Sequence, residues 1–401
     1  MKRVWPRRPL TEVAELVGGS TPARDTPEYW GGEIPWVTPT DLPMPGEGIA
    51  RVAATRQTIT RAGLDSCAAV LVPPGTVLFS SRATIGKLAV AEVPLATNQG
   101  FANLIPRSVV TPRFLAYALW FHMEDITRLA GSTTFKEVSR GRLANFEIPL
   151  PPLAEQERIV RVLDAAEELR RLRAQADRRT ADLIPSLFYD MFGDTANGQD
   201  PWECKTLGDL LSSIDSGWSP SCTDRAASPG EWGVIKLGAV TSCKYADTEN
   251  KALPENVAPR PKLEVKAGDV LFTRKNTYEL VAACALVMTT RPRLMLSDLI
   301  FRLRIATGAG IIPEFLWALL VSPSMRKQVQ RLASGSAGSM PNISKQRLKG
   351  VSIPIPPIDL QREFAARVAE IRALEARQAE SRRRLDDLFQ SLLHRAFQGE
   401  L

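Results

Sequence analysis

Small hydroxyl and amide residues cluster with arginine and lysine at several turn-rich places in the chain. The first group, Ser20, Thr21 and Arg24, lies in and just after the loop Gly18-Gly-Ser-Thr-Pro22. Ser80, Ser81, Arg82 and Lys87 follow, then Asn98-Gln99, then Ser132, Thr133, Thr134 and Lys136 behind Gly131. The second half offers Ser216, Trp218 and Ser219; Thr273, Arg274, Lys275 and Asn276; and Ser336, Asn342, Ser344 and Lys345 behind Gly335. Arginine can grip guanine edges, and asparagine or glutamine can grip adenine edges, through paired hydrogen bonds. Lysine and hydroxyls mainly hold phosphates. Asn98-Gln99 and the loops at Gly131 and Gly335 are the preferred base readers. Arg82, Arg274 and Lys275 are the preferred phosphate holders.

Catalytic chemistry is much harder to find. The two histidines, His122 and His394, fall far apart on helical stretches, where packing or surface roles account for them. Gly86-Lys87 lacks both the upstream glycine and the following hydroxyl of a phosphate-binding loop, and no G-x-G-x-x-G opens a helix. The double prolines at Val72-Pro-Pro-Gly, Leu150-Pro-Pro-Leu and Ile355-Pro-Pro-Ile carry apolar residues where an amino-methyltransferase needs a polar acceptor. Five scattered cysteines, odd in number and without a C-x-x-C pair, suit a cytosolic chain with free thiols, without disulfides or a zinc site. The expectation is a chain with no catalytic residues and no metal site.

The elements that must position these loops occur twice. Pro149, Pro151, Pro152 and Gln156 slide onto Pro354, Pro356, Pro357 and Gln361. In the same register Leu169, Asp182, Leu183, Ser186, Leu187 and Phe192 fall on Leu374, Asp387, Leu388, Ser391, Leu392 and Phe397. Upstream, Trp5 with Leu10 matches Trp202 with Leu207, and Gly75-Thr-Val-Leu-Phe-Ser recurs as Gly268-Asp-Val-Leu-Phe-Thr. The helical pattern from Pro112 to Leu129 is echoed by Ile312-Pro-Glu-Phe-Leu-Trp-Ala-Leu-Leu. Around these helices the texture is of short β-rich runs broken by Gly and Pro, such as Ile34-Pro-Trp-Val and Lys87-Leu-Ala-Val-Ala. Leu10 to Val17 reads as a short helix. The framework recurs while the loops diverge, as expected for two domains of one fold that meet different targets.

Each copy ends in an extended proline run and then a long helix. Proline cannot donate within a helix, so I-P-x-P-P marks the boundary. Beyond it no Pro or Gly interrupts Leu153 to Ile184, or Ile358 to Gln398, and good helix formers dominate. Each helix would be roughly 45 to 60 Å long. Heptad spacing places Ile159, Ala166, Arg173 and Leu187 on one seam column, with Val162, Leu169 and Leu183 on the other. The second helix offers Phe364, Ile371, Gln378, Leu385 and Leu392, with Leu374 and Leu388. The expected fold is α+β: two mixed α/β domains, each followed by a long helix, the helices pairing as an antiparallel coiled coil. Arg173 and Gln378 would meet near its centre. The expected boundaries are 1–150 and 197–352 for the domains, and 151–196 and 353–401 for the helices.

The bulk properties agree. The chain has 401 residues, 44% hydrophobic and 24% charged, enough for two or three folded domains. Its net charge of +7 points weakly to an acidic partner. The N-terminus lacks the apolar stretch of a signal peptide, and the longest apolar run, Leu280 to Met288, is too short to span a bilayer.

Ile148-Pro-Leu-Pro-Pro-Leu-Ala-Glu-Gln-Glu-Arg-Ile159 and Ile353-Pro-Ile-Pro-Pro-Ile-Asp-Leu-Gln-Arg-Glu-Phe364 resemble the boundary signatures of specificity subunits of type I restriction-modification systems. Leu360 stands where that family usually has Glu. The G-D-V-L-F run, Asn98-Gln99 and the Gly131 loop are similar to its target-recognition domains. The resemblance implies a cytoplasmic, non-catalytic DNA-binding subunit whose two domains each read half of a split, asymmetric site in double-stranded DNA. The helices would act as the ruler between the halves. It implies two methyltransferase subunits as partners, carrying S-adenosylmethionine for adenine methylation, and motor-nuclease subunits that join for restriction. No cofactor is expected on the chain itself. Glu155, Arg158, Arg161, Glu168 and Arg171 would then be free for the methyltransferase partners. Two other classes stay open from the residues alone: a self-sufficient DNA methyltransferase or nuclease, and a coiled-coil scaffold that binds only protein.

Overall fold

A computed structural model describes residues 4–130, 137–194, 202–335 and 340–401. The chain divides into two compact units, one of Met1–Gln175 with Ala379–Leu401 and one of Ala176–Gln378.

The first unit is built on a five-stranded sheet in the order Ala14–Gly18, Phe101–Pro106, Val77–Ser80, Leu88–Ala91, Ile49–Val52. Its pairs are antiparallel except the last, which is parallel. The strand Val77–Ser80 is buried along its whole length because both sheet faces are covered, and alternate side chains feed different cores. Val77 and Phe79 pack beneath the helix Pro112–Phe121 with Phe114 and Leu115. Leu78 and Phe101 face Val37, Leu42 and Leu95 on the other side. A three-stranded sheet (Gln57–Ile59, Trp30–Val37, Ala96–Thr97) completes the domain, and a short pair of Arg7–Pro9 with Glu147–Pro149 closes it.

The second unit repeats this topology over four of the five strands. Among the described residues its sheet runs Leu211–Ser216, Ile300–Ile305, Val270–Thr273, Cys284–Leu286. Asn250–Ala252, Gly233–Ile235 and Leu294–Met295 form the three-stranded sheet, and Cys204–Thr206 pairs with Ser352–Pro354. Val270 and Phe272 face one core and Leu271 the other. The fold is therefore two mixed α/β domains, each followed by a long helix.

Two expectations need correction here. The stretch from Leu10 is helical only over Leu10–Val13 and then becomes the strand Ala14–Gly18, because Phe101–Pro106 offers it a ladder of backbone partners. The stretch from Pro112 is two helices, Pro112–Phe121 and Met123–Arg128, with the break at His122 (φ −91°, ψ 17°). His122 is buried there, edge-on to Phe146 at 5.3 Å.

The long helices are Leu153–Ala181, continued by Leu183–Phe192, and Ile358–Phe397. Pro185 sits in the first turn of Leu183–Phe192, where its missing N–H has no intrahelical partner to lose. Each helix starts in one unit and ends in the other. In the first unit Ile159, Leu163 and Ala166 share a core with Phe389, Leu393, Ala396 and Phe397. In the second, Ile184, Phe188 and Phe192 share a core with Phe364 and Val368. Within each unit, then, the beginning of one helix packs with the end of the other.

In the first expected seam column, Ile159, Ala166 and Phe364 are buried, and Leu187, Ile371 and Leu392 are partly buried against the cores. The second column is off by one residue. Leu169, Leu183 and Leu388 are 49%, 41% and 45% exposed, and Val162 and Leu374 are half-buried. The buried positions are instead Leu163, Ile184, Val368 and Phe389. A helix presents i+3 and i+4 on nearly the same face. With apolar neighbours at Val162-Leu163, Leu183-Ile184 and Leu388-Phe389, spacing alone does not choose between them. Gln378 donates to Thr180 Oγ1 at 2.9 Å inside the second unit. Leu385 is half-buried.

Candidate nucleic-acid interface

In the first unit the loop after Ala14–Gly18 lies against the turn before Phe101–Pro106. Ser20 N–H donates to Thr97 O at 2.9 Å. A Cβ at Gly19 would fall 2.1 Å from Asn98 O, so only glycine permits this approach. Thr21 Oγ1 then donates to Gln99 Oε1 across the gap. Asn98 Oδ1 accepts from Gly100 N–H at 2.9 Å, which shapes the turn. Beside this edge the Arg24 guanidinium lies 5.2 Å from the Trp30 ring centroid and 5.5 Å from that of Trp36, and Trp36 Nε1 donates to Ser20 O at 3.0 Å. Arg24, Trp30, Arg56 and Gln57 line a shallow depression of about 380 Å³.

The second unit carries the same edge with other side chains. Trp218 N–H donates to Leu296 O at 2.9 Å, and a Cβ at Gly217 would meet Leu296 O at 2.1 Å. Ser219 Oγ donates to Asp298 Oδ1 and accepts from Asp298 N–H at 3.2 Å. Arg260 stacks 3.9 Å from the Trp218 centroid. Next to it Ser216, Asp215, Lys262, Lys266, Arg304 and Lys345 border an open concavity of about 740 Å³. Arg302, buried at its base, pairs with Asp215 at 2.9 Å and Asp269 at 3.2 Å. Burial works against the Asp215 carboxylate, yet hydrogen bonds from Arg304, Ser213 and Arg302 hold it below the usual range.

The remaining candidates divide. Arg82 is half-buried and bridges in antiparallel fashion to Glu137. Arg274 Nε donates to Asn342 Oδ1 at 3.1 Å, and its guanidinium lies 5.2 Å from the Phe301 ring. Lys275 forms a bridge with Asn342. Lys345, an exposed residue, donates to Ile214 O at 2.6 Å. Lys87 is not on the surface: it is 8% exposed and donates to Pro39 O at 2.6 Å and Leu42 O at 3.1 Å. Asn276 is likewise buried, with Oδ1 accepting from Thr277 N–H at 2.9 Å. Both hold loops rather than face solvent, because an apolar sheet beneath them leaves backbone carbonyls and amides to be satisfied. Ser132, Thr133, Thr134, Lys136 and Ser336 lie outside the described residues.

Sequence reasoning missed Asp298 and Arg260. The signal that finds Asp298 is register: Phe101 pairs with Ser80 as Ile300 pairs with Thr273, which sets Gln99 opposite Asp298 in the repeat. Among the described residues no group of three or more His, Cys, Asp or Glu could hold a metal ion.

Behind these edges, each helix start is clamped by the glutamine of the proline signature. Gln156, fully buried, accepts from Thr111 N–H at 2.9 Å and donates to Val109 O and Pro151 O, each at 2.9 Å. Gln361 does the same with Ile312 N–H at 3.1 Å, Gly310 O at 2.9 Å and Pro356 O at 2.8 Å. Three bonds per amide leave no choice of rotamer, so each domain is fixed to its helix.

A duplicated α+β scaffold with one polar loop edge per domain defines a protein with two candidate sites of common design. A family model for the type I restriction modification DNA specificity domain matches residues 3–176 and 199–380, and the chain belongs to that family. It is 34% identical over 230 residues to the type I restriction enzyme MjaIX specificity subunit of Methanocaldococcus jannaschii, covering 53% of this chain and 52% of that one. It is 26% identical over 353 residues to the EcoKI specificity subunit of Escherichia coli K12, covering 80% and 73%. The chain thus spans about half the length of the archaeal relative. Its fold is similar to the type I S subunit from M. genitalium (TM-score 0.56, 15% identity, 98% and 96% covered). It is also similar to a chain from a study of type I complex assembly and conformational transition (TM-score 0.60, 21% identity, 99% and 98% covered). No helix among the described residues is long and apolar enough to cross a membrane.

Proposed function

We propose that this chain is the DNA sequence-recognition subunit of a type I restriction-modification complex. Each domain reads one half of a split, asymmetric site in double-stranded DNA. The long helices, paired as an antiparallel coiled coil, set the unspecified gap and dock two methyltransferase subunits. The chain itself is non-catalytic: S-adenosylmethionine binds on the methyltransferase partners, and motor-nuclease subunits join for restriction. The complex works in the cytoplasm. Relatives that match the chain are named as specificity subunits of such enzymes.

The observation that carries this reading is one polar edge built twice on one topology, with different side chains at matching positions. Two copies of one site would serve a symmetric target; divergent copies suit an asymmetric one. On the helices, Glu168 and Arg171 pair with each other on an exposed face and Arg161 is exposed, as docking requires. Arg158 is engaged, donating to Leu401 O at 2.7 Å.

The test is to co-express the chain with the methyltransferase subunit of its system and map N6-methyladenine across the genome. A two-part motif with a fixed gap is expected, lost when either domain is exchanged. Inserting one heptad into both helices lengthens the gap and leaves both halves unchanged. A continuous motif, or no methylation that depends on this chain, removes the reading.

A further inference from the structure

We propose that Gln99 and Asp298 are the matching base-reading residues of the two domains, Gln99 selecting adenine and Asp298 selecting cytosine at the same position of their half-sites. This rests on the reading of the chain as a split-site DNA reader.

The equivalence of the two positions comes from backbone register. The strand before each turn pairs in parallel with its neighbour, Val37 with Thr97 and Val234 with Met295. The strand after each turn pairs antiparallel with the central strand, Phe101 with Ser80 and Ile300 with Thr273. The opposing loop contributes the same backbone bond, from Ser20 to Thr97 and from Trp218 to Leu296, behind a glycine that nothing larger could replace. The one exposed polar side chain in each turn that accepts from a hydroxyl of the facing loop is Gln99 or Asp298.

That hydroxyl orients each side chain and leaves its far end toward solvent. Thr21 occupies one lone pair of Gln99 Oε1, so the amide still offers two donors and an acceptor. Adenine presents an amino donor beside the N7 acceptor, which this pattern matches. Ser219 takes Asp298 Oδ1, and what remains is acceptor only. A carboxylate on a surface that must approach phosphates is repelled unless a base donates to it. Cytosine offers its N4 amino group with no acceptor on its own major-groove edge. Guanine offers only N7 and O6, and adenine sets N7 against the second carboxylate oxygen. Arg260 stacked on Trp218 supplies a nearby positive charge against the phosphates.

The experiment is site selection from a random duplex library by the full chain in complex with its methyltransferase subunit. Wild type and the variants Gln99→Asp, Asp298→Gln and Asp298→Asn are compared, with melting curves to establish that each variant folds. Asp298→Gln should change one position of the second half-site from cytosine to adenine, with about a tenfold change in preference. Gln99→Asp should do the reverse in the first half-site, and Asp298→Asn should relax the cytosine. The other half-site stays as in wild type each time. Variants that weaken all sequences alike, or a wild-type motif without that adenine and cytosine, overturn the assignment while leaving split-site recognition intact. A wild-type complex that selects no split motif overturns the functional reading, and this inference falls with it.

Discussion

The two places where a domain meets its long helix share one device and differ in another. Both are clamped by a buried glutamine with the same three backbone bonds. Two to three turns further along the helix the chemistry diverges. In the first unit Arg113 and Tyr117 of the domain helix face Asp164 and Glu167: Arg113 Nη2 lies 2.5 Å from Asp164 Oδ1 and 2.9 Å from Glu167 Oε2. Tyr117 Oη lies 2.7 and 2.6 Å from the same two atoms, with a single proton to share between them, and Ile49 N–H reaches Glu167 Oε1 at 2.7 Å. Burial first, and then the Glu167 charge, push the Tyr117 phenol far above its ordinary pKa, so it stays a donor. In the second unit the matching helix positions are Ala369 and Arg372. Arg372 stacks 5.2 Å from the Trp317 ring and pairs with Glu375 at 2.7 Å, which Lys244 reaches at 3.1 Å. Glu167 has become Arg372, and Arg170, paired with Asp386 in the first unit, has become Glu375. The charge at a joint can invert so long as each group keeps a partner, because the cost lies in an unpaired buried charge rather than in its sign. The glutamine cannot drift in this way, since it satisfies main-chain groups that every sequence has.

The comparison breaks first at the clamps. Gln156→Leu and Gln361→Leu should each destabilise their unit by about 3 kcal/mol, since each strands one N–H and two carbonyls in an apolar setting. Denaturant unfolding with hydrogen exchange resolves the unit affected, and markedly unequal losses would show the clamps are not equivalent. A smaller and unequal effect is expected at the second layer. Asp164→Ala leaves Arg113 half-served among buried groups and should cost the first unit about 2 kcal/mol, whereas Arg372→Ala should cost the second about 1 kcal/mol. The smallest effect is the pH response of Glu375. Burial disfavours its charge, but hydrogen bonds from Arg372 and Lys244 prevail and hold its pKa below the ordinary value. A carboxylate depressed in the folded state stabilises it above the ordinary carboxylate range, and that contribution disappears as pH falls through the folded pKa. Unfolding curves of wild type and Glu375→Gln should therefore differ at pH 7 and converge as the pH falls below the folded pKa of Glu375; a constant difference would remove the ion pair from the account.

Much of the fold could be read along the chain. The duplication is visible because both copies need the same framework: prolines that end a strand, a glutamine that clamps a helix, an apolar run for the central strand. Gly75-Thr-Val-Leu-Phe-Ser and Gly268-Asp-Val-Leu-Phe-Thr read as strands because all their faces are apolar, and both form the strand at the heart of a sheet. The candidate recognition loops were only half legible. Thr21, Gln99, Trp218 and Ser219 stand at the two edges, while Lys87 and Asn276, of the same residue types, are turned inward to hold carbonyl and amide groups.

Residue type and spacing along the chain determined which elements form and that they form twice, because backbone propensity and apolar period are local properties. Tertiary structure alone decided which of two adjacent leucine-like positions faces the core, because the i+3 and i+4 positions are nearly equivalent until a neighbouring helix arrives to cover one. It alone decided that Asp298 stands where Gln99 does, since that match depends on strand register between segments about 20 to 60 residues apart, and no local pattern in the chain carries it.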